Sequence, residues 1–284
     1  MTSSTLYPIL STLNVHPRDK DLQFEEKTHK YTVLPFPDTK FLSVTTWNHN
    51  HFPHFDADAV IEKIMQSKGW KDGHKYWGLT ADEIKTKWSE NGKAVSGAGT
   101  DMHYEIECFM NNSDLPPKYT HQDLLSDFLC KNGNNNPIYK SKEWQYFLEY
   151  LQHLPHLKPY RTEWMIYHET YQLAGCIDMV YENVEDGTLS IYDWKRCQEI
   201  TKCNSFNEFA LPNCINDLAN SNFWHYSLQL NTYQFILEDK YGVKIKELVL
   251  VQLHPNLETF ELHIVPNLQE QIKCLMQEHI SKKL

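Results

Sequence analysis

The sequence predicts an α/β fold, a central mixed β-sheet flanked by helices. Segments of strand-like alternation take turns with segments of helical periodicity along the whole chain. Residues 246–253 form a near-continuous apolar run, as in a strand buried on both faces. Hydrophobic residues make up 41% of the 284 and aromatics 13%, enough for a sizeable core.

The elements follow in order. Residues 1–20 carry little pattern and are expected to be loosely ordered. Residues 22–26 and 30–34 read as two short strands around a polar turn. Residues 41–47 are β-branched and aromatic and read as a third strand or an extended segment. Residues 56–67 place Ala57, Val60, Ile61, Ile64 and Met65 at helical spacing. A second helix, 80–91, opens on the capping box Thr80-Ala-Asp-Glu83, and Gly92 is expected to end it. Gly97-Ala-Gly-Thr100 then leads into a separate helix, 101–110, on which His103 and Glu107 lie four apart. Residues 111–141 read as an insertion, with Pro116-Pro117, a helical piece near 124–130 and a turn-rich run at 132–137. Residues 142–154 form a helix with Trp144, Phe147, Leu148 and Leu151 inward.

Three strands come next, within 161–195, the last two joined by the turn signal at 183–187. Residues 198–224 lack a regular pattern. A strongly apolar helix spans 225–240, the buried strand 246–253 follows, 259–265 reads as an edge strand, and 266–283 is a terminal helix. With no internal repeat and no clear linker, residues 1–284 are read as a single domain.

The formal net charge of −10 argues against a protein that only coats nucleic acid. It leaves room for an enzyme with a local basic groove. Seven cysteines, an odd number with no Cys-x-x-Cys pair, argue against a zinc ribbon or a disulfide framework and point to a reducing, intracellular compartment. No apolar run approaches the roughly 18 residues of a membrane span, and the N-terminus has no signal pattern, so no membrane partner is expected.

The chemistry concentrates between Arg161 and Lys195. Strand alternation puts Leu189, Ile191, Asp193 and Lys195 on one face and Ser190, Tyr192 and Trp194 on the other. Asp178 lies on the preceding strand, across a hairpin. Two carboxylates converging there suit Mg²⁺ or Mn²⁺, hard ions that take oxygen ligands. Lys195 would orient a water or neutralise charge growing on a phosphate. An acid-x-Lys triplet by itself has decoys, such as Glu83-Ile-Lys85 and Glu238-Asp-Lys240. Spacing alone leaves open whether Asp193 and Lys195 form a plain ion pair or part of a metal site.

An ordered set of motifs extends beyond this stretch. Gly99-Thr100-Asp-Met-His103-Tyr-Glu-Ile106-Glu107 precedes it, Glu163 comes before Gly175-Cys-Ile-Asp178, Asp193-Trp194-Lys195 follows, and Gln229-Leu-Asn-Thr-Tyr233 lies downstream. In order and content the set resembles the RecB-like branch of the PD-(D/E)XK nuclease superfamily, over roughly residues 24–265. RecB-type exonucleases of phages, viruses and mitochondria are similar in this way. The resemblance implies a restriction-endonuclease-like core with helical insertions. Asp178 and Asp193 would be the central metal ligands, with the Trp194 carbonyl and His103 as further ones. Glu163 would hold a water or a second metal, and Lys195 would assist the attacking water. Gln229 and Tyr233 would border the site and contact DNA or brace the strands. Read without the family, His103 could be a packed helix histidine and Glu163 a partner of Arg161.

Arg196 departs from the family, where a small threonine is common, and would reach a phosphate. Only Cys274 follows the Gln-x-x-x-Tyr helix, so no iron–sulfur cluster is expected. No P-loop is present, so a helicase or recombination partner would be a separate protein. The function expected is a Mg²⁺- or Mn²⁺-dependent deoxyribonuclease, an exonuclease or end-processing enzyme of recombination, repair or replication. Its partner would be single-stranded DNA or a duplex end, bordered by residues 111–141 and 198–224, with aromatics such as Trp70, Trp77, Trp88, Phe206, Phe209 and Trp224 available for stacking. An RNA-acting nuclease of the same fold and a catalytically silent binding module are the alternatives.

Overall fold

A computed structural model of the chain describes residues 9–116, 118–131, 137–204 and 206–282. The first eight residues, Pro117 and most of the turn-rich run at 132–137 lie outside the described residues. The chain is α/β, with a mixed central sheet flanked by helices.

The sheet is built around three long strands: β4 (Lys158–His168), β5 (Leu173–Glu182) and β6 (Leu189–Lys195). β4 pairs antiparallel along the full length of β5. On its other edge β5 pairs with β6 only from Met179 to Glu182, and with the two-residue β3 (Leu42–Ser43) only at Leu173 and Ala174. The backbone of residues 175–178 therefore stands on that edge between two partners, where β6 has parted from β5. Beyond this fork β6 runs parallel to β7 (Ile245–Gln252), as far as Lys195 opposite Gln252, and β8 (Glu261–Ile264) closes the edge antiparallel to β7. The exposed side chains of β8 fit the expected edge strand.

Period-2 alternation sends apolar side chains to both faces. Leu189, Ile191, Leu248 and Leu250 meet α7 (Asn222–Lys240) and α8 (Gln269–Ser281). Met179, Tyr181, Tyr192, Trp194, Val249 and Val251 meet the other helical layer. That layer holds α6 (Lys142–His153), with Trp144, Phe147, Tyr150 and Leu151 fully inside, and the end of α4 (Ala81–Met110), through Met102, Ile106 and Met110. A small hairpin, β1 (Leu22–Glu25) and β2 (Lys30–Val33), packs with Phe41 against Tyr167 and Ala174.

Several expectations are corrected. Residues 81–110 form one helix of 30 residues, not two, with Thr80 as its cap. Gly92, Gly97 and Gly99 run through it without positive φ, and a Cβ at each would meet open space. Each costs roughly 1 kcal/mol against alanine, which the well-capped first turn and the packed last turn tolerate. Residues 44–49 form α2 (Val44–His49) rather than continuing as strand, because the Ser43 hydroxyl accepts from the Thr46 amide and starts a helix. Residues 9–21 are tied down rather than loose: α1 (Ile9–Leu13) buries Leu10, and Asp19 pairs with the buried Arg161 at 2.7 Å. The insertion carries α5 (His121–Cys130), whose Leu124 and His121 pack into the core beside α6. The helix expected at 56–67 is α3 (Ala57–Gln66), capped by Asp56.

His121 is fully buried, and its Nε2 lies 2.9 Å from the Tyr181 hydroxyl, which also accepts from Tyr150. Burial pushes the imidazole down to about 3 from 6.5. Between those values the unfolded chain holds a proton that the folded chain refuses. The stability is therefore intact above pH 6.5 and falls with acidification towards 3, by up to about 1.4 kcal/mol per pH unit. Urea unfolding at pH 6.5 and 4.5 should show a loss in the wild type larger than that in His121→Phe by on the order of 2 kcal/mol. Equal losses in both proteins would mean that the ring is not held neutral.

Candidate active site

The fork in the sheet is where the chemistry collects. Asp178 stands on β5 one residue before pairing with β6 begins, and Asp193 and Lys195 follow the last β5–β6 pair on the strand that turns away. The ladder leaves the Trp194 amide facing β5 without a backbone acceptor there, and Asp178 Oδ2 accepts from it at 3.0 Å. One carboxylate thus spans the gap that the missing strand pairing leaves. Trp194 meets the cluster through this N–H, and its indole is buried on the opposite face against Phe147 and Tyr150.

Glu163 comes from β4, opposite Asp178. Pairing is regular at Thr162 with Met179 and at Trp164 with Ile177, and skips the position between. There Glu163 has φ 43°, in the left-handed region that side-chain-bearing residues seldom adopt. His103 arrives from α4, whose end is set by Met102 and Ile106 and by Asn111. The Asn111 side chain donates to Thr162 Oγ1 at 2.7 Å and to Glu107 O, and accepts from the Leu10 amide. The outcome is a cluster in which a His103 ring nitrogen and one oxygen each of Glu163 and Asp178 lie within 4.8 Å of one another. His103 Nδ1 is 3.4 Å from Asp178 Oδ2.

The charges are crowded. Burial first, then Asp178, Glu107 and Asp193, push the Glu163 carboxyl up to about 8, while a hydrogen bond from the Cys176 thiol at 3.2 Å opposes the shift. Burial raises Asp193 to about 6, opposed by Lys195 and supported by Asp178. Burial alone would lower the Lys195 ammonium, but Asp193 and Asp178 outweigh it and hold it above its ordinary value. Lys195 forms its ion pair with the buried Asp193 through Asp193 Oδ2. The ammonium also sits 4.4 Å from the Tyr226 ring centre, a cation–π contact. The His103 nitrogen and the Glu163 and Asp178 oxygens, with Asp193 beside them, form a donor set that fits a divalent cation.

The sequence-selected residues separate into two groups. His103, Glu163, Asp178, Asp193 and Lys195 come together. Arg196 does not join them: it alternates to the other face and pairs with Glu143 of α6 at 2.7 Å, so it is not placed to hold a phosphate at this site. Tyr233 is buried under the fork, with its hydroxyl accepting from Gln229 at 3.1 Å. A Cβ on Gly175 would stand 2.6 Å from Tyr233 Cε1, so glycine at 175 is what lets the ring fill the gap between β3 and β6. In this position Tyr233 braces β5.

Sequence reasoning missed Tyr226, although 226, 229 and 233 share the i, i+3, i+7 face of α7. Burial raises the carboxyl of Glu107, which lines a cleft of about 510 Å³ with Glu163, Arg161, Asn111 and Thr162. Of the aromatics expected to be available for stacking, Trp77, Phe206 and Phe209 are exposed, while Trp88 and Trp224 donate their indole N–H to the Tyr76 hydroxyl and to Lys202 O. Among the described residues no helix is long and apolar enough to cross a membrane.

Gly175→Ala should lower stability by about 1–3 kcal/mol through overpacking. Adding Tyr233→Leu should recover part of that loss, since it removes the atom in the way. Thermal melts of the two single variants and the double variant check this, and strictly additive losses would mean that the two side chains do not compete for the space. Compared with known proteins, the chain matches no protein-family model, and no curated protein matches it significantly.

Proposed function

We propose that this chain is a metal-dependent nuclease with a PD-(D/E)XK-type core that hydrolyses DNA phosphodiester bonds, acting at ends as an exonuclease or end-processing enzyme. The observation that carries the reading is the convergence of His103, Glu163 and Asp178 beside the buried Asp193–Lys195 pair. Three consecutive strands and one helix remote in the sequence supply these groups. A packed core histidine or a lone ion pair needs no such arrangement.

His103, Glu163 and Asp178 would hold a Mg²⁺ or Mn²⁺ ion, with Asp193 beside them. When bound, the ion supplies Lewis-acid polarisation of a phosphoryl oxygen and activation of a nucleophilic water. The chain's own contribution is position and field. Asp178 is oriented by the Trp194 amide, and Glu163 by its backbone conformation and by Cys176. The Lys195 ammonium is steadied between Asp193 and the Tyr226 ring and stays protonated, so its role is to donate to the attacking water or to the phosphate oxygens as negative charge grows. An imidazole in the donor set favours Mn²⁺ over Mg²⁺.

End-labelled single-stranded DNA, duplex DNA and RNA, each incubated with Mg²⁺ or Mn²⁺, test the reading. DNA cleavage is expected, faster with Mn²⁺, and reduced about 100-fold or more in Lys195→Ala and Asp193→Ala. Closed circular DNA should resist. Absence of metal-dependent cleavage on all three polymers, or full activity in both variants, overturns the assignment, and cleavage of RNA alone transfers it to an RNA substrate.

A further inference from the structure

A second group of metal-ligating side chains lies outside the candidate active site. Cys214 belongs to a 3₁₀ turn, Asn213–Ile215, in the irregular segment before α7. Cys274 and Glu278 are four apart on α8 and so project from one helix face. The two sulfurs and a Glu278 oxygen all lie within 4.8 Å of one another, with Cys214 Sγ and Glu278 Oε1 at 4.0 Å. All three residues are half-buried, which leaves a path for an ion from solvent. None is in a disulfide.

The geometry points to a zinc site formed by Cys214, Cys274 and Glu278. Thiolate sulfur selects Zn²⁺ over the hard ions suited to the carboxylate–histidine cluster. Zinc takes sulfur at about 2.3 Å and carboxylate oxygen at about 2.0–2.2 Å in a tetrahedron, which puts two sulfur ligands about 3.8 Å apart. Side chains already within 4.8 Å reach that arrangement by small rotations. On binding, each thiol releases its proton to solvent and the sulfur lone pair forms the bond to the metal, with no change of oxidation state. Three protein ligands leave a fourth position for water.

The site would add a metal link between the turn at Cys214 and α8, two parts of the chain that already share one core. Among the described residues of 196–221, regular structure is limited to an isolated bridge, Phe209 with Ala219, and the turn around Cys214. Ile215 is buried next to Cys214, and α8 is anchored by Ile272, Leu275 and Met276. An ion at Cys214 reinforces the hold of that segment on the terminal helix, close to where the chain enters α7.

Full-length protein, purified under reducing conditions and freed of metal by chelation, is titrated with Co²⁺ and then with Zn²⁺. One equivalent of Co²⁺ should give a thiolate-to-cobalt charge-transfer band that Zn²⁺ abolishes. The carboxylate–histidine cluster gives no such band. Cys214→Ser and Cys274→Ser should lose it, Glu278→Gln should bind Co²⁺ about tenfold more weakly, and Cys176→Ser should retain it. Circular dichroism checks folding, and Glu278→Gln decides the matter should a cysteine variant fail to fold. Absence of the band in folded wild type, its survival in both cysteine variants, or a Cys214–Cys274 disulfide formed in place of metal binding overturns the proposal.

Discussion

Charge crowding in a poorly solvated space governs this molecule. Glu163, Asp178 and Asp193 are gathered beside a single ammonium, Lys195. Like charges this close raise one another's proton affinity and oppose folding. The surrounding structure holds them there. Two layers of helices bury both faces of the central strands, and the apolar surface they remove from water offsets the repulsion. The cluster sits in a fold otherwise stable enough to carry it, with a shortage of positive charge that a divalent cation is suited to fill.

A sheet with complete pairing would not provide such a place. Its backbone groups would be used in ladders, and side chains from adjacent strands would stand in regular rows. Here β6 leaves β5 after four pairs, and the opening is filled by side chains instead of ladder bonds: the Tyr233 ring over Gly175, the Asp178 carboxylate on the Trp194 amide, and His103 from α4. The left-handed backbone at Glu163 belongs to the same solution, since a regular strand would not skip its pairing there.

Much of this was readable in advance, and the reasons are particular. Residues 246–253 and 189–195 were legible because strands buried on both faces keep a strong pattern. Alternation placed Asp193 and Lys195 together, and the same rule, carried one residue further, puts Arg196 on the face where Glu143 holds it. The failures were local rules overruled by context. Gly92, Gly97 and Gly99 resemble helix stops, but a glycine ends a helix only when the chain takes positive φ there, and none of them does. Residues 44–49 are β-branched at three positions, yet the cap at Ser43 and the packing of Val44 and Trp47 decide for helix. The conformation of Glu163 left no trace in the sequence, because only its opposition to Asp178 across the ladder requires it.

The length of α4 has a mechanical meaning. Its buried contacts are Ile84 near one end and Met102, Ile106 and Met110 at the other, and the turns between them are exposed. Ile84 sits in the aromatic-rich outer part, where Trp88 meets Phe55 and Tyr76, while His103 is about 28 Å further along the same rod. Alone in its cluster, His103 is carried by no strand. Its ring is placed by the packed last turns of α4, through Met102 and Ile106. A change of volume at either of those two core positions is therefore delivered as a change in where one imidazole points.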